Sequence, residues 1–436
     1  MAVVFDRLTP FESFMYTSHQ PHQPMTLYAR LVFDETCDLG RLEESLNHTI
    51  ARHPLLNARV VRKGVYPCWE TIPWEPVKIT PTTQRELLNT SPLDITQGRG
   101  FRAWVITKPE VTSQTEIILE IHHSCVDGLA ALQLIKEWRE TDRKLVQSKS
   151  NVSEKPPELT KAELKKIRSR GEEKLGWMSK HQLKRIIRFY LAKKVLHLKN
   201  QDQKSQYNRK AVFCQISDVV NRLSVRPPIE GLNWTLNDIL LSAAYLSIFQ
   251  LSDPDSTTEN SRFRIGVPAN TRYLSKEPDL VANCVTMTFI DQLYRQEIDD
   301  DFRRDFFRTM VQETNSIKKH HLFLSMLHTL RAIYPWHWIP GSICASSMVL
   351  SNVGRIAPMF GEDFSWNDQN LTSISLVPPI RETSNLAIAI VGMNSDLHLG
   401  VLYNGDFLSE SYIQQFLQSF KHEANRLIDL MTPGSP

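Results

Sequence analysis

One short stretch around residue 120 changes its hydrophobic period, and this change constrains the fold more than any other feature of the chain. Residues 117–121 read Ile-Ile-Leu-Glu-Ile, a run typical of a buried β-strand. From Gly128 to about Leu145, apolar side chains recur every three or four residues, which predicts a helix. A strand that leads directly into a helix is typical of the α/β class. We therefore expect mixed sheets with helices packed against them.

Two histidines, His122 and His123, lie at the end of this predicted strand. Side chains alternate along a strand, so His123 shares a face with Ile117, Leu119 and Ile121, whereas His122 shares the other face with two glutamates. The first face is uniformly apolar, which predicts that it is the inward one. A buried imidazole can be held neutral at physiological pH, as a general base requires. We therefore interpret His123 as the catalytic candidate and His122 as the weaker one.

Asp127 and Gly128 occupy the predicted turn between the strand and the helix. A carboxylate there can fix the turn by accepting backbone N–H bonds or by pairing with an arginine. Glycine permits a backbone conformation that bulkier residues resist. Ser124 projects to the opposite face if the strand continues, and no G-x-S-x-G sequence occurs. A base without a protein nucleophile indicates that it deprotonates a substrate directly.

Two other interpretations fit the same residues. Histidine pairs also occur at strand ends for structural reasons, and Asp127 could simply cap the following helix. A metal site made of both histidines and Asp127 is disfavoured, because adjacent strand residues face opposite ways. We therefore expect no bound metal.

Other periodic segments predict further elements. Thr9-Pro10-Phe11-Glu12 has the pattern of a capped helix start. Helices are expected at 235–249, 301–317 and 410–430, and strands at 27–33, 101–107, 263–267, 346–350, 374–377, 386–391 and 397–402.

Length and composition bound the class of protein. The chain has 436 residues, more than one hydrophobic core usually organises, so two domains or lobes are expected. Its 41% hydrophobic and 23% charged residues are ordinary for a globular protein, and no apolar run is long enough for a transmembrane helix. No secretory signal is visible, and the six cysteines are scattered without a CxxC pair. This pattern favours the cytoplasm and disfavours zinc and disulfide frameworks.

Several segments in the expected order carry a family resemblance. The run His122-His123-Ser124-Cys125-Val126-Asp127-Gly128 resembles the H-H-x-x-x-D-G signature of the chloramphenicol acetyltransferase-like superfamily. That superfamily includes peptide-synthetase condensation domains, alcohol acetyltransferases, polyketide-associated acyltransferases and wax ester synthase/diacylglycerol acyltransferases. The other similar segments are Ala51-Arg52-His53-Pro54-Leu55-Leu56, Thr235-Leu236-Asn237-Asp238-Ile239-Leu240-Leu241, Pro268-Ala269-Asn270-Thr271-Arg272, Ala282-Asn283-Cys284 and Leu350-Ser351-Asn352-Val353-Gly354.

The sequence departs from the superfamily pattern at a few places. Asn57 stands where arginine is frequent, and Ala282 replaces the usual glycine. The D-F-G-W-G box of plant acyltransferases is missing, with only a weak similarity at residues 363–366, and residues 351–355 lack the proline of the wax ester synthase pattern. The chain most resembles free-standing alcohol acetyltransferases and polyketide-associated acyltransferases.

The resemblance implies two lobes with an active-site tunnel at their interface and His123 in its middle. It implies that an acyl thioester, carried by coenzyme A or by the phosphopantetheine of a carrier protein, enters from one side. A small-molecule or lipid alcohol, or an amine, would enter from the other, with no permanently bound cofactor. Asp127 is expected to be structural, paired with Arg272. The candidates for oxyanion or substrate contacts are Asn283, Ser351, Asn352 and His122.

The expected organisation has three parts. Residues 1–150 form the lobe with the histidines, residues 151–210 a connection, and residues 211–436 the second lobe. Within the connection, residues 161–200 carry 13 Lys or Arg against 3 Asp or Glu. This basic segment could be a solvated connection, a docking surface for an acidic carrier protein, or a peripheral membrane contact; nucleic acid is disfavoured because no recognised motif accompanies the charge.

Three functions stay open at this point. The first is transfer of an acyl group from a thioester to an alcohol, with His123 as general base. The second is a free-standing condensation enzyme that joins carrier-bound substrates through an amide or ester. The third is a non-catalytic binding protein on the same fold.

Overall fold

A computed structural model describes most of the chain. The described residues are 3–107, 113–148, 184, 195–201, 208–224, 233–253, 255, 257–274, 279–317, 325–326, 346–381 and 383–431. Most of the basic segment 161–200 and the predicted boundary at 150/151 lie outside these residues, whereas the predicted boundary at 210/211 falls within the described strand Arg209–Ile216. The three-part division of the chain therefore stays a prediction.

Helices and strands alternate along the described residues, which confirms the expected α/β class. The helices are α1 (Pro10–Thr17), α2 (Leu39–Ile50), α3 (Gln84–Asn89), α4 (Gly128–Ser148), α5 (Val219–Ser224), α6 (Leu236–Leu251), α7 (Asp300–Ile317), α8 (Ala357–Phe360) and α9 (Glu410–Met431). The strands are β1 (Val4–Arg7), β2 (Thr26–Phe33), β3 (Ala58–Lys63), β4 (Tyr66–Thr71), β5 (Ile79–Thr82), β6 (Phe101–Ile106), β7 (Thr115–His122), β8 (Arg209–Ile216), β9 (Arg262–Asn270), β10 (Val285–Leu293), β11 (Met348–Arg355), β12 (Ser365–Trp366), β13 (Gln369–Val377), β14 (Leu386–Met393) and β15 (Asp396–Asn404).

Two six-stranded sheets form the framework. One has the order β12-β13-β2-β7-β6-β5 and the other the order β10-β9-β11-β14-β15-β8, while β1, β4 and β3 make a small third sheet. Both large sheets are mixed: β5 runs parallel to β6, and β11 runs parallel to β9 and β14. Each sheet packs helices against a core of its own. This is the two-lobed arrangement that the resemblance implies.

One strand crosses between the lobes. By sequence β13 belongs with the second lobe, yet it pairs antiparallel with β2 in the first sheet. The segment before it is tied to α4: Arg139 Nη2 donates to Phe360 O at 2.6 Å, and the indole of Trp366 donates to Asp142 at 3.0 Å. A smaller apolar cluster then fills the space between the two large sheets, with Ile118 from one and Ala387 from the other. The lobes are therefore interlocked, which fixes the position of any site between them.

The predicted start of α1 is confirmed in detail. Thr9 Oγ accepts a hydrogen bond from the Glu12 N–H at 3.2 Å, and the Glu12 carboxylate accepts one from the Thr9 N–H at 2.9 Å. This capping box satisfies two N–H groups that a helix start leaves without a partner. None of the described helices is long and apolar enough to cross a membrane.

Candidate active site

The strand that leads to the histidines is central in its sheet. β7 lies between β2 and β6, and all of its residues are buried. The expectation of a single inward face is therefore wrong, because the second face of β7 is buried too. The two glutamates on that face are paired with arginines: Arg30 with Glu116 at 2.6 Å and Arg102 with Glu120 at 3.0 Å. Because the strand ends at His122, the alternation does not extend to His123.

His123 begins the turn after β7 and lines a cavity between the two lobes. Its backbone N–H donates to Met25 O at 2.7 Å, which anchors the turn to the segment before β2. The side chain is partly exposed, whereas His122 next to it is fully buried. The sequence thus places two imidazoles side by side, and the turn delivers only one of them to the cavity.

Asn283 holds His123 from the opposite lobe. Its side-chain Nδ2 donates to the carbonyl oxygen of His123 at 2.6 Å and lies 3.4 Å from His123 Nδ1. Asn283 is 2% exposed and is not one of the residues that line the cavity. The resemblance suggested Asn283 as an oxyanion or substrate contact, and the structure places it behind the imidazole, as a support.

Burial lowers the pKa of His123 below its usual value, although backbone hydrogen bonds and the charge of Asp127 act in the opposite direction. An imidazole that is largely surrounded by protein loses hydration of its charged form, so the neutral form is favoured. The lowered pKa of His123 thus favours the form of the ring that can accept a proton.

Asp127 does not reach the imidazole as a partner; it fixes the turn. Its carboxylate forms a bidentate ion pair with Arg272, at 2.8 and 2.9 Å, and both side chains are buried. It also accepts backbone N–H bonds from Ala130, at the start of α4, at 2.9 Å and from Cys284 at 2.7 Å. Arg272 in turn donates to Ala282 O at 2.9 Å. Asp127 therefore joins the helix start of one lobe to the segment of the other lobe that carries Asn283.

Gly128 packs closely against β11 and β13. Its φ is not in the left-handed region, unlike that of Gly354, so a special backbone conformation is not what favours glycine at this position. A Cβ at position 128 would lie 3.1 Å from Val353 Cγ1 and 3.2 Å from Leu376 Cδ1, closer than ordinary van der Waals contact. The first turn of α4 thus touches β11 and β13 directly.

The cavity has a volume of about 330 Å³ and is lined by both lobes. Most lining side chains are apolar and come from α1, β2, β10, β11 and the segment after β13. Ser351 and Asn352 lie on the wall formed by β11, and both are partly exposed. The β11–β14 pairing is irregular between Asn352 and Gly354. There the Gly354 N–H donates to Asn352 Oδ1 at 2.9 Å, and the φ of Gly354 is 82°, in the left-handed region. This bulge explains the glycine of the Ser-Asn-x-Gly segment.

A substrate contact has to face the cavity, whereas His122 is fully buried and does not line it. Its Nδ1 accepts the Ser124 N–H at 3.1 Å, and its Nε2 lies 2.9 Å from Nδ1 of His19. The two rings are stacked, with centroids 4.9 Å apart. Burial, with the charges of the neighbouring histidines, lowers the pKa of His122 well below its usual value. His19 was not predicted, because a single histidine in a loop carries no local signal.

The described residues contain no group of three or more His, Cys, Asp or Glu side chains that could hold a metal ion. The Asp127 carboxylate, which a metal site would need, is occupied by Arg272 and by backbone N–H groups. The polar groups that line the cavity include an imidazole, several hydroxyls, two amides and two guanidiniums, one of which is paired with Asp127.

Comparisons with known proteins identify solved structures that have a similar fold. No protein-family model matches the sequence, and no curated protein sequence matches it. Among solved structures, trichothecene 15-O-acetyltransferase from Fusarium sporotrichioides is similar, with a TM-score of 0.72, 13% identity, and coverage of 97% of this chain and 94% of that one. The cyclization-docking bidomain of a peptide synthetase from Sorangium cellulosum has a TM-score of 0.68 and 15% identity, and the match covers 100% of this chain and 86% of the bidomain.

A third similar structure is the starter condensation domain of rhizomide synthetase in complex with C8-CoA and Leu-SNAC, with a TM-score of 0.65, 12% identity, and coverage of 98% of this chain and 96% of that one. The chain has the fold of condensation domains. The condensation-domain fold confirms the architecture that the histidine motif led us to expect. At these identities the likeness establishes the fold, and the function has to be argued from the site.

Proposed function

We propose that this chain is an acyltransferase that moves an acyl group from a thioester to an alcohol, with His123 as the general base. One observation carries the proposal: the imidazole of His123, whose backbone is held by Asn283 from the opposite lobe, lines a cavity between both lobes, and burial lowers its pKa. Among the described residues, no hydroxyl or thiol side chain hydrogen-bonds to this base; Ser124, its neighbour in the sequence, donates its hydroxyl proton to Glu12 O at 3.0 Å.

The reaction follows from this arrangement. The acceptor hydroxyl gives its proton to the imidazole of His123 as its oxygen attacks the thioester carbonyl carbon. The C–O bond forms, and the carbonyl oxygen becomes an oxyanion. When the C–S bond breaks, the imidazolium returns the proton to the leaving thiolate. We propose Nε2 for both steps, because Nδ1 lies on the Asn283 side. Such base catalysis typically contributes about 10²–10⁴-fold to the rate.

The oxyanion needs hydrogen-bond donors at the cavity wall. Ser351 and Asn352 are the two predicted contact residues that line the cavity. The Asn352 Oδ1 is engaged by the Gly354 N–H, which leaves its amide Nδ2 as the donor. We propose that the Ser351 hydroxyl and the Asn352 amide stabilise the developing charge. Removal of one such donor typically lowers kcat by about 10²–10³-fold.

The nature of the substrates is supported by the similar structures. One of them is named as an O-acetyltransferase, and another contains C8-CoA with an aminoacyl thioester mimic. We propose acyl-coenzyme A or acyl-carrier protein as donor and a small-molecule or lipid alcohol as acceptor, with no permanently bound cofactor. The condensation domains among these structures favour a second candidate, amide formation between carrier-bound partners. The same base would then deprotonate an amine.

The partners outside the cavity are a separate proposal. The basic residues of 161–200 would suit an acidic carrier protein or an anionic membrane surface, and we propose a cytoplasmic protein with one of these contacts. Carrier docking predicts that transfer from acyl-carrier protein, but not from acyl-coenzyme A, falls steeply as the salt concentration rises.

Thiol release from acyl-coenzyme A or acyl-carrier protein, with a panel of alcohols and amines, tests the proposed reaction. We expect His123→Ala to fold normally and to lose at least about 10²-fold in kcat. His398→Gln is the matched control: His398 is buried and contacts Ser373 at 2.9 Å, but it does not line the cavity. Equal turnover by the wild type and His123→Ala would exclude the catalytic role and leave the non-catalytic binding protein.

A further inference from the structure

The segment after β13 places one arginine in the cavity wall. Arg381 lines the cavity and is partly exposed. Its guanidinium carbon lies 4.5 Å from the centroid of the Phe14 ring, another residue of the wall. Phe14 belongs to α1, whose start is fixed by the Thr9–Glu12 capping box. A cation is thus stacked on a rigid aromatic face inside a largely apolar space.

The backbone around Arg381 is also fixed. Pro378 and Pro379 precede it, Ile380 is 1% exposed, and the Arg381 carbonyl accepts the Ser384 N–H at 2.8 Å in a tight turn. The contact with the Phe14 ring then holds the side chain of Arg381 against the cavity wall before a ligand binds.

The charge of Arg381 has no counterpart in the described part of the chain. The residues that line the cavity include two other charged side chains, Asp127 and Arg272. Their charges neutralise one another in the ion pair. No described carboxylate forms an ion pair with Arg381. A partly exposed guanidinium on an apolar wall can form a charge-assisted pair with a bound oxyanion, and the pair strengthens as the ligand displaces water. The described wall of the cavity therefore carries one net positive charge.

We infer that Arg381 binds an oxyanion, a carboxylate or a phosphate, on the substrate that occupies this cavity. The substrate would combine an apolar body, which suits the wall, with an anionic group at the Arg381 end. The guanidinium presents paired N–H donors that match the two oxygens of either group. The inference rests on the proposed function in one respect: the molecule that occupies the cavity is a reactant of the acyl transfer. Its test is a binding measurement, which needs no turnover.

The probes are hexanoate, hexyl phosphate and hexan-1-ol, which share a chain and differ in the head group. We expect at least one anion to bind the wild type about ten- to a hundredfold more tightly than hexan-1-ol by calorimetry. The Arg381→Gln variant should bind all three equally, and Arg381→Lys should keep part of the preference. Arg355→Gln is the control, since Arg355 is exposed at the end of β11 and does not line the cavity.

Each outcome decides the inference. Tighter binding of hexanoate assigns the position to a carboxylate of the acyl or acceptor group, and tighter binding of hexyl phosphate assigns it to a phosphate. Wild-type binding of hexan-1-ol as tightly as both anions would overturn the inference, and so would an unchanged preference in Arg381→Gln. The same titrations in His123→Ala should repeat the wild-type result, so a failure of the catalytic proposal cannot be mistaken for a failure of this one.

Discussion

Asp127 and Arg272, 145 positions apart, form a buried bidentate ion pair that joins the two lobes directly behind the candidate base. The pair also holds the backbone on both sides of Asn283, because Arg272 donates to Ala282 O and Asp127 accepts from the Cys284 N–H. Asn283 then holds His123. The ion pair therefore fixes the backbone from which Asn283 contacts His123, without touching the imidazole ring.

Removal of one partner of this pair should destabilise the whole chain. Asp127→Ala leaves a buried guanidinium without its anion, and we expect the free energy of unfolding to fall by about 3–5 kcal/mol. Denaturant unfolding measures the change. Arg308→Ala, which breaks the exposed pair with Asp305, should change it by less than about 0.5 kcal/mol. A similar effect of the two variants would contradict the structural role of Asp127.

The pH dependence of the reaction should report the lowered pKa of His123. The imidazole acts as a base only when it is neutral, so activity falls as the pH drops through its pKa in the folded protein. Burial lowers that pKa, which places the acid limb of kcat/KM below about 6.5. An acid limb at or above 6.5 would contradict this expectation. The residual activity of His123→Ala should lack the limb.

Asn283 should act as a positioning residue. In Asn283→Ala the hydrogen bond to the His123 carbonyl is lost, and we expect kcat to fall about tenfold while KM changes little, because the cavity wall is unaltered. Steady-state kinetics separate the two constants. Asn315→Ala, which removes a surface hydrogen bond to Asn233 O, is the control. A rise in KM without a fall in kcat would instead indicate a substrate contact.

Gly400 lies where strands of the two large sheets approach each other closely. A Cβ at this position of β15 would lie 2.1 Å from the carbonyl oxygen of Leu376 in β13, and a strand backbone cannot move aside. We expect Gly400→Ala to reduce the free energy of unfolding by about 3 kcal/mol or more. Gly98→Ala, with open space around the added methyl group, should be nearly neutral. Equal melting temperatures of the two variants would contradict this packing.

Glu313 should make stability depend on pH. Burial, helped by the nearby Asp291, raises the pKa of the Glu313 carboxyl to about 7. The folded state then holds a proton that the unfolded state has released, so stability falls as the pH rises from about 4.5 to about 7. Glu313→Gln should remove this loss, on the order of 2 kcal/mol at pH 8, and change little at pH 4.5. Unfolding curves at the two pH values measure it, with the exposed Asp305→Asn on the same helix as control.

Much of the framework could be predicted from local patterns. The helix that begins at Gly128, the strand at β2 and the closing helix α9 appear where their periodicity indicated. The strand β10 was not predicted. It is an edge strand whose residues are mostly only partly buried, so its sequence lacks a strong period.

The candidate site was predicted less completely than the framework. The sequence indicated His123 and, through the resemblance, the residues of the matching segments. It could not distinguish Asn283, behind the imidazole, from Ser351 and Asn352, on the cavity wall. Arg381 belongs to no recognised pattern, and its position in the wall became visible only with the packing of α1 against the segment after β13.

The sequence by itself indicated a buried strand that leads to the two histidines and a helix that begins at Gly128, because these depend on neighbours a few positions away; that the strand ends at His122 and leaves His123 in the turn was decided by the structure. The tertiary structure decided what surrounds that imidazole. Asn283 lies 160 positions from His123, and it meets the His123 carbonyl where Asp127 joins the two lobes through Arg272 and the Cys284 N–H. Contacts over such separations depend on how the whole chain packs.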